Sequence, residues 1–77
     1  METKITREGI AECIIDPKGA HGLTQFKIKH RYKFQYALDG YYIIYYINER
    51  FNDERFKTCG IHVFNRFFKR IEEKKIK

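Results

Sequence analysis

The sequence predicts an α+β domain: a three- to four-stranded antiparallel β-meander with one C-terminal α-helix packed on its apolar face. Three observations predict it. Between Phe26 and Leu38 the even positions are Phe26, Ile28, His30, Tyr32, Phe34, Tyr36 and Leu38, and the odd ones are Lys27, Lys29, Arg31, Lys33, Gln35 and Ala37. Alternation of period two marks a strand with one buried face. Asp39-Gly40 separates this run from the apolar stretch Tyr41–Ile47, and Asp-Gly is a strong hairpin signal because a type I′ turn needs positive φ at both central residues. From Ile61 the period lengthens: Ile61, Phe64, Phe68 and Ile71, with Phe67 beside them, fall on one face of a helix.

Each element follows in order. Residues 8–15, Glu-Gly-Ile-Ala-Glu-Cys-Ile-Ile, read as a strand or a helix, with strand preferred because Gly9 weakens a helix by roughly 1 kcal/mol relative to Ala. Asp16-Pro17 closes that element, and the run to Leu23, punctuated by Pro17, Gly19 and Gly22, is a connector. The single domain, 1–77, thus divides into an N-terminal arm or edge strand plus loop (1–22) and a hairpin, third strand and helix (23–77). A two-residue turn at Asp39-Gly40 would pair Leu38 with Tyr41, Tyr36 with Ile43, Phe34 with Tyr45 and Tyr32 with Ile47. Asn52-Asp53 suggests a second tight turn, which would set Glu49 against Phe56. The predicted core is Ile28, Tyr32, Phe34, Ile43, Tyr45, Ile47 and Phe56 against Ile61, Phe64, Phe67, Phe68 and Ile71. Lys69 with Glu73, and Lys74, Lys75 and Lys77 near the helix end, suit the outside of that helix.

Composition narrows the function classes. A chain of 77 residues buries only roughly 60% of its unfolded surface, and seven Phe and six Tyr supply the missing apolar area. No run approaches the ~18 apolar residues of a membrane span, and the first residues lack the apolar core of a signal peptide, so a cytoplasmic protein without membrane contact is expected. Cys13 and Cys59 form no disulfide framework and read as buried free thiols. With His21, His30 and His62 they match no zinc spacing, so neither a metal nor a cofactor is expected. The net charge of +6 is lopsided: residues 1–25 carry three basic and four acidic side chains, and residues 26–77 thirteen and six. Such a balance points to polyanions or acidic protein surfaces.

The predicted register places Lys27, Lys29, Arg31, Lys33, Arg50, Arg55 and Lys57 on the uncovered face of the sheet, with Tyr42 and Tyr46 among them. Cations that neutralise phosphates, interleaved with rings that stack on bases, are the chemistry of nucleic-acid binding, to DNA or RNA. An exposed strand face whose Lys and Arg stems merely cover apolar atoms is the structural alternative. A hairpin of twelve steps, about 40 Å at ~3.3 Å each, would also outreach a domain of this size. Its tip, Tyr36, Leu38, Tyr41 and Tyr42, would then meet a protein partner or a second copy of the chain. A meander followed by a helix is similar in outline to the three-stranded DNA-binding domains of the AP2 type and the arm-binding domains of tyrosine recombinases; the resemblance rests on element order over about residues 26–75 and carries no residue roles.

The sequence therefore predicts a non-enzymatic nucleic-acid-binding module. The alternative is a small protein-binding adaptor or inhibitor, such as a virus-encoded blocker of a nucleic-acid-handling enzyme, docking through the basic face or the Tyr-rich tip. No nucleophile-base pair is legible, and so small a domain is expected to lack room for a ligand cleft of ~300 Å³.

Overall fold

A computed structural model describes residues 4–76, apart from the side chain of His21. The outermost ends of the predicted domain, residues 1–3 and Lys77, and the His21 side chain considered as a ligand lie outside the described residues. Five strands, β1 (Ile5–Cys13), β2 (Arg31–Ala37), β3 (Tyr41–Asn48), β4 (Asp53–Gly60) and β5 (Phe68–Lys75), form one open antiparallel sheet in the order β4-β3-β2-β1-β5. A seven-residue helix, α1 (Ile61–Phe67), stands between β4 and β5. The α+β class and the antiparallel meander are as the sequence predicts. The fifth strand is not, and with the helix no longer last the chain departs from the three-stranded outline it resembles.

Residues 8–15 resolve in favour of a strand. β1 lies between β2 and β5 and is bonded on both edges. Ala11 and Cys13 are buried on its inner face, and Glu8 and Glu12 on the other face meet Lys74 at 3.7 Å and Arg31 at 3.4 Å. Gly9 shows how tightly β5 is laid down. A Cβ at that position would stand 1.8 Å from the Glu72 carbonyl oxygen, beside the bulge where the β1–β5 register shifts between Ile10 and Ala11. Only a residue without a side chain permits that approach.

The predicted helix stops early. Phe64 and Phe67 are buried under it as its period requires. At Phe68 the backbone turns to φ −130° and ψ 147°, and the chain leaves as β5. The reason is the free edge of β1. Its unpaired N–H and C=O groups are satisfied by eight residues of β5, a gain that local helical periodicity cannot match. Phe68 still reaches the core, because its register partner Cys13 faces the same side. Ile71 falls at the bulge and, like Ile61, stays exposed.

The hairpin register differs from the prediction by one residue. Phe34 pairs with Ile44, Gln35 with Ile43 and Tyr36 with Tyr42. The connection is therefore three residues long, Leu38-Asp39-Gly40: the Gly40 N–H bonds the Ala37 carbonyl at 2.9 Å, and Gly40 has φ 92°. A type I turn followed by a left-handed glycine is the next most common hairpin after the two-residue one. Because strand side chains alternate, one residue of slip turns all of β3 over. Tyr42, Ile44 and Tyr46 go into the core, and Ile43, Tyr45 and Ile47 go to the opposite face. The second turn is also longer than predicted: residues 49–52 form a four-residue loop, with Asn52 at φ 51° and the Asn48 Oδ1 accepting from the Phe51 N–H at 3.1 Å. Phe56 consequently faces Tyr45 rather than Glu49.

The core lies on one face of the sheet, beneath α1 and the connector 14–30. Its rings are Phe26, Phe34, Tyr42, Tyr46, Phe64, Phe67 and Phe68, with Leu23 and Ile44 among them. Of the predicted core, Ile28, Ile47, Phe56, Ile61 and Ile71 are exposed. Tyr42 stacks on Phe64 with centroids 3.9 Å apart and planes 9° from parallel. Its hydroxyl accepts from the Arg70 guanidinium, which lies over both rings and also bonds Asn65 Oδ1 at 3.0 Å and Glu73 Oε2 at 3.4 Å. One cation thus ties α1, β3 and β5 together and satisfies the polar end of a buried tyrosine. The hairpin does not project: β2 begins at Arg31 rather than Phe26, and the molecule measures 33 × 26 × 21 Å with a radius of gyration of 12.0 Å. No helix among the described residues is long and apolar enough to cross a membrane.

Gly9→Ala should lower the unfolding free energy by at least ~1–3 kcal/mol, since backbone must shift to admit the methyl group. Gly60→Ala, where a Cβ meets nothing within 4 Å, should change it little. Urea unfolding of the two variants checks this contrast.

Candidate functional site

The feature that positions a site is a break in the sheet. The β2–β3 ladder covers Tyr36↔Tyr42 to Phe34↔Ile44 and stops there. Beyond it β2 stays with β1 through Arg31, and β3 stays with β4 through Asn48. The two strands part like the tines of a fork. Continued register would set Tyr32 against Tyr46, but Phe26 occupies the space. Its ring centroid lies 4.9 Å from Tyr32 and 5.4 Å from Tyr46, edge-on to both, and 5.4 Å from Phe68. The connector delivers it there. A 3-10 turn at Ala20–Gly22 tucks Leu23 into the core, and two bonds latch the far end: Cys13 N–H to the His30 carbonyl at 2.9 Å, and Lys29 N–H to the Cys13 carbonyl at 2.7 Å.

The fork forms a half-open cleft of about 460 Å³, where the size of the chain suggests none. Lys27, His30, Arg31 and Lys33 line it from the connector and β2, and Tyr45, Tyr46, Ile47, Glu49 and Glu54 from the other side. Lys33 Nζ sits 5.5 Å from the Tyr45 ring centroid. The Tyr45 hydroxyl donates to Gln35 Oε1 at 2.6 Å, and burial, helped by the Glu54 carboxylate, pushes it above its ordinary pKa. Lys27 meets Glu49 at 3.5 Å across the mouth. Both partners are exposed, so this bridge is worth well under ~1 kcal/mol and gives way readily. Gln25 lines this cavity and a smaller adjoining one of about 230 Å³. Its Oε1 is buried and has no hydrogen-bond partner among the described residues. A buried acceptor left without a donor costs roughly 1–3 kcal/mol.

The single basic face predicted from the sequence is not assembled. Lys27, Arg31 and Lys33 meet at the fork. Lys29 is exposed in the connector. Arg50 lies in the β3–β4 loop over Phe51, and Arg55 reaches the same ring from β4 while pairing with Asp53 at 3.2 Å. Arg55 and Lys57 are register partners of Tyr46 and Ile44, so they stand on the core side of the sheet, opposite Lys33. Tyr42 is 1% exposed and Tyr46 7%; both are core residues rather than surface rings, a direct result of the one-residue slip. At the hairpin tip Leu38 is exposed, but Tyr36 and Tyr41 are half-buried and Tyr42 is covered. The exposed rings are instead Phe51 and Phe56; on the open face Phe56 and Ile47, each 59% exposed, lie beside the half-buried Tyr45 and Ile43.

Sequence reasoning missed Tyr45, Gln25 and Glu54 as members of a site. A three-residue reading of Leu38-Asp39-Gly40 would have turned Tyr45 outward. Nothing in the sequence signals the fork, because it depends on where the connector inserts Phe26. No three His, Cys, Asp or Glu side chains among the described residues are grouped to hold a metal. Cys13 and Cys59 are free, and burial raises both thiols, Cys59 to about 11. Comparison with known protein families, curated proteins and solved structures finds no match.

Phe26→Ala should cost about 3–5 kcal/mol in urea unfolding, the range for losing a buried ring. A loss below about 1 kcal/mol would mean that the ring does not hold the fork.

Proposed function

We propose that the chain is a non-enzymatic module that binds single-stranded nucleic acid along the fork. One observation carries this reading: Lys27, Arg31 and Lys33 converge on a cavity of about 460 Å³ whose wall includes the Tyr45 ring. Cations beside a partly exposed ring offer a strand both phosphate neutralisation and a stacking surface. A half-open cleft between two strands suits a flexible strand better than a rigid duplex. The excess of thirteen basic over six acidic side chains after residue 25 draws a polyanion to this half of the sequence. Binding rather than catalysis is also favoured by the thiols, since the raised pKa of both keeps them in the poorly nucleophilic protonated form.

The alternative, a protein-binding adaptor, is favoured by the apolar surface of Ile43, Tyr45, Ile47 and Phe56 on the open face. Oligonucleotide titration separates the two readings. With three phosphate contacts on a single strand, log K should fall with log salt with a slope of about −2, at about −0.7 per contact. Arg31→Ala and Lys33→Ala should each make that slope shallower by about 0.7, and Arg55→Ala or Lys57→Ala should leave it unchanged. Fluorescence anisotropy between about 50 and 200 mM salt measures this. A flat titration at low salt rejects the nucleic-acid reading and leaves the protein-binding one.

A further inference from the structure

We infer that the open face of β2, β3 and β4 is the interface of a two-fold homodimer, in which two sheets pack face to face across β3. The layout of the face points to this occupant. Its middle column is apolar: Ile43, Tyr45 and Ile47. On the β4 side stand their register partners, Thr58, Phe56 and Glu54 in that order. On the β2 side stands Gln35, the partner of Ile43. Lys33 follows, with its Nζ 5.5 Å from the Tyr45 ring, and then Arg31, which lines the cleft with Ile47 and Glu54. The core is built on the other face and leaves Ile47 and Phe56 each 59% exposed. Apolar surface of this kind, rimmed by polar groups, marks a contact with another protein.

A two-fold axis in the plane of the contact and along β3 lays the β2 side of one copy over the β4 side of the other, row by row. Sheets packed this way lie within about 30° of each other, so the rows stay in reach. The apolar column meets itself. Gln35 meets Thr58: its Oε1 already accepts from the Tyr45 hydroxyl at 2.6 Å, which leaves its NH₂ group to donate to the threonine hydroxyl. Lys33 meets the exposed ring of Phe56, a cation against an aromatic face. Arg31 meets Glu54. Glu54 forms no salt bridge among the described residues, and Arg31 bonds Glu12 through Nε at 3.4 Å, which leaves the other end of its guanidinium for a second carboxylate. A different partner would have to present an acid to Arg31 and a cation to Glu54; a second copy of this face presents both. Pairing of two copies through the free edge of β4 is disfavoured. A two-fold centred on Arg55, Phe56 or Lys57 sets Arg55 on Arg55, Arg55 on Lys57 or Lys57 on Lys57. The inference does not rest on strand binding. Because the dimer covers Tyr45 and Lys33, a second copy and a bound strand exclude each other.

Sedimentation equilibrium without nucleic acid, from about 1 μM to about 1 mM protein, is the test. The wild type should pass from monomer to dimer mass within that range. Ile47→Asp, at an exposed position, should stay monomeric. Arg31→Glu and Glu54→Arg, also at exposed positions, should each weaken the dimer at least about tenfold, because each sets like charges together in both symmetry-related pairs. Mixed in equal amounts, these two variants should form a dimer of wild-type affinity, because each supplies the opposite charge to both pairs. A wild type that stays monomeric throughout overturns the inference, and so does a dimer that persists in Ile47→Asp. A mixture that associates no more tightly than either variant alone overturns the two-fold arrangement. The wild-type mass decides the existence of the dimer even if a variant fails to fold.

Discussion

Phe26 is the constraint on which the rest depends. Its ring fills the place where Tyr32 and Tyr46 would otherwise meet across the sheet, and it touches both and Phe68. Edge-on aromatic contacts of this kind add about 0.5–1.5 kcal/mol each beyond the area they bury. A chain this small has few other sources of stability. The same insertion that completes the core divides β2 from β3. Stability and an opening in the sheet therefore come from one side chain, and the opening lies among cations because β2 begins with Arg31-Tyr32-Lys33.

The coarse fold was legible because its signals are local. Alternation marked β2, glycine at position 9 weighed against a helix in β1, and Asp39-Gly40 located a hairpin. Register was not legible. Tyr41–Ile47 is apolar at every position, so either face of β3 can be buried, and period alone cannot choose between them. The choice fell to the turn, where Gly40 takes the left-handed position of a three-residue loop. One residue of slip put Tyr42 and Tyr46 into the core and turned Tyr45 to the open face. It also separated Arg55 and Lys57 from Lys33, which dissolved the basic face and left a smaller cluster at the fork.

The C-terminal segment failed for a different reason. Phe64, Phe67 and Phe68 satisfy a helical stripe, yet Phe67-Phe68 also allows a helix to end and a strand to begin with both rings inward. The open edge of β1 settles the matter in favour of β5, and nothing in residues 68–75 announces that edge. Gly9 disfavours a helix by propensity, but its physical role is to let the Glu72 carbonyl pass. In each case the deciding interaction joins residues far apart in sequence: Gly9 with Glu72, Phe26 with Tyr46, Tyr42 with Arg70.

The most direct measurement is the pattern of backbone nuclear Overhauser contacts between β2 and β3 in solution. The account predicts cross-strand contacts for Phe34 with Ile44 and Tyr36 with Tyr42, none between the backbones of Tyr32 and Tyr46, and ring contacts from Phe26 to both of those tyrosines. Backbone contacts running on through Tyr32 and Tyr46, or a Phe34–Tyr45 pairing, would contradict it.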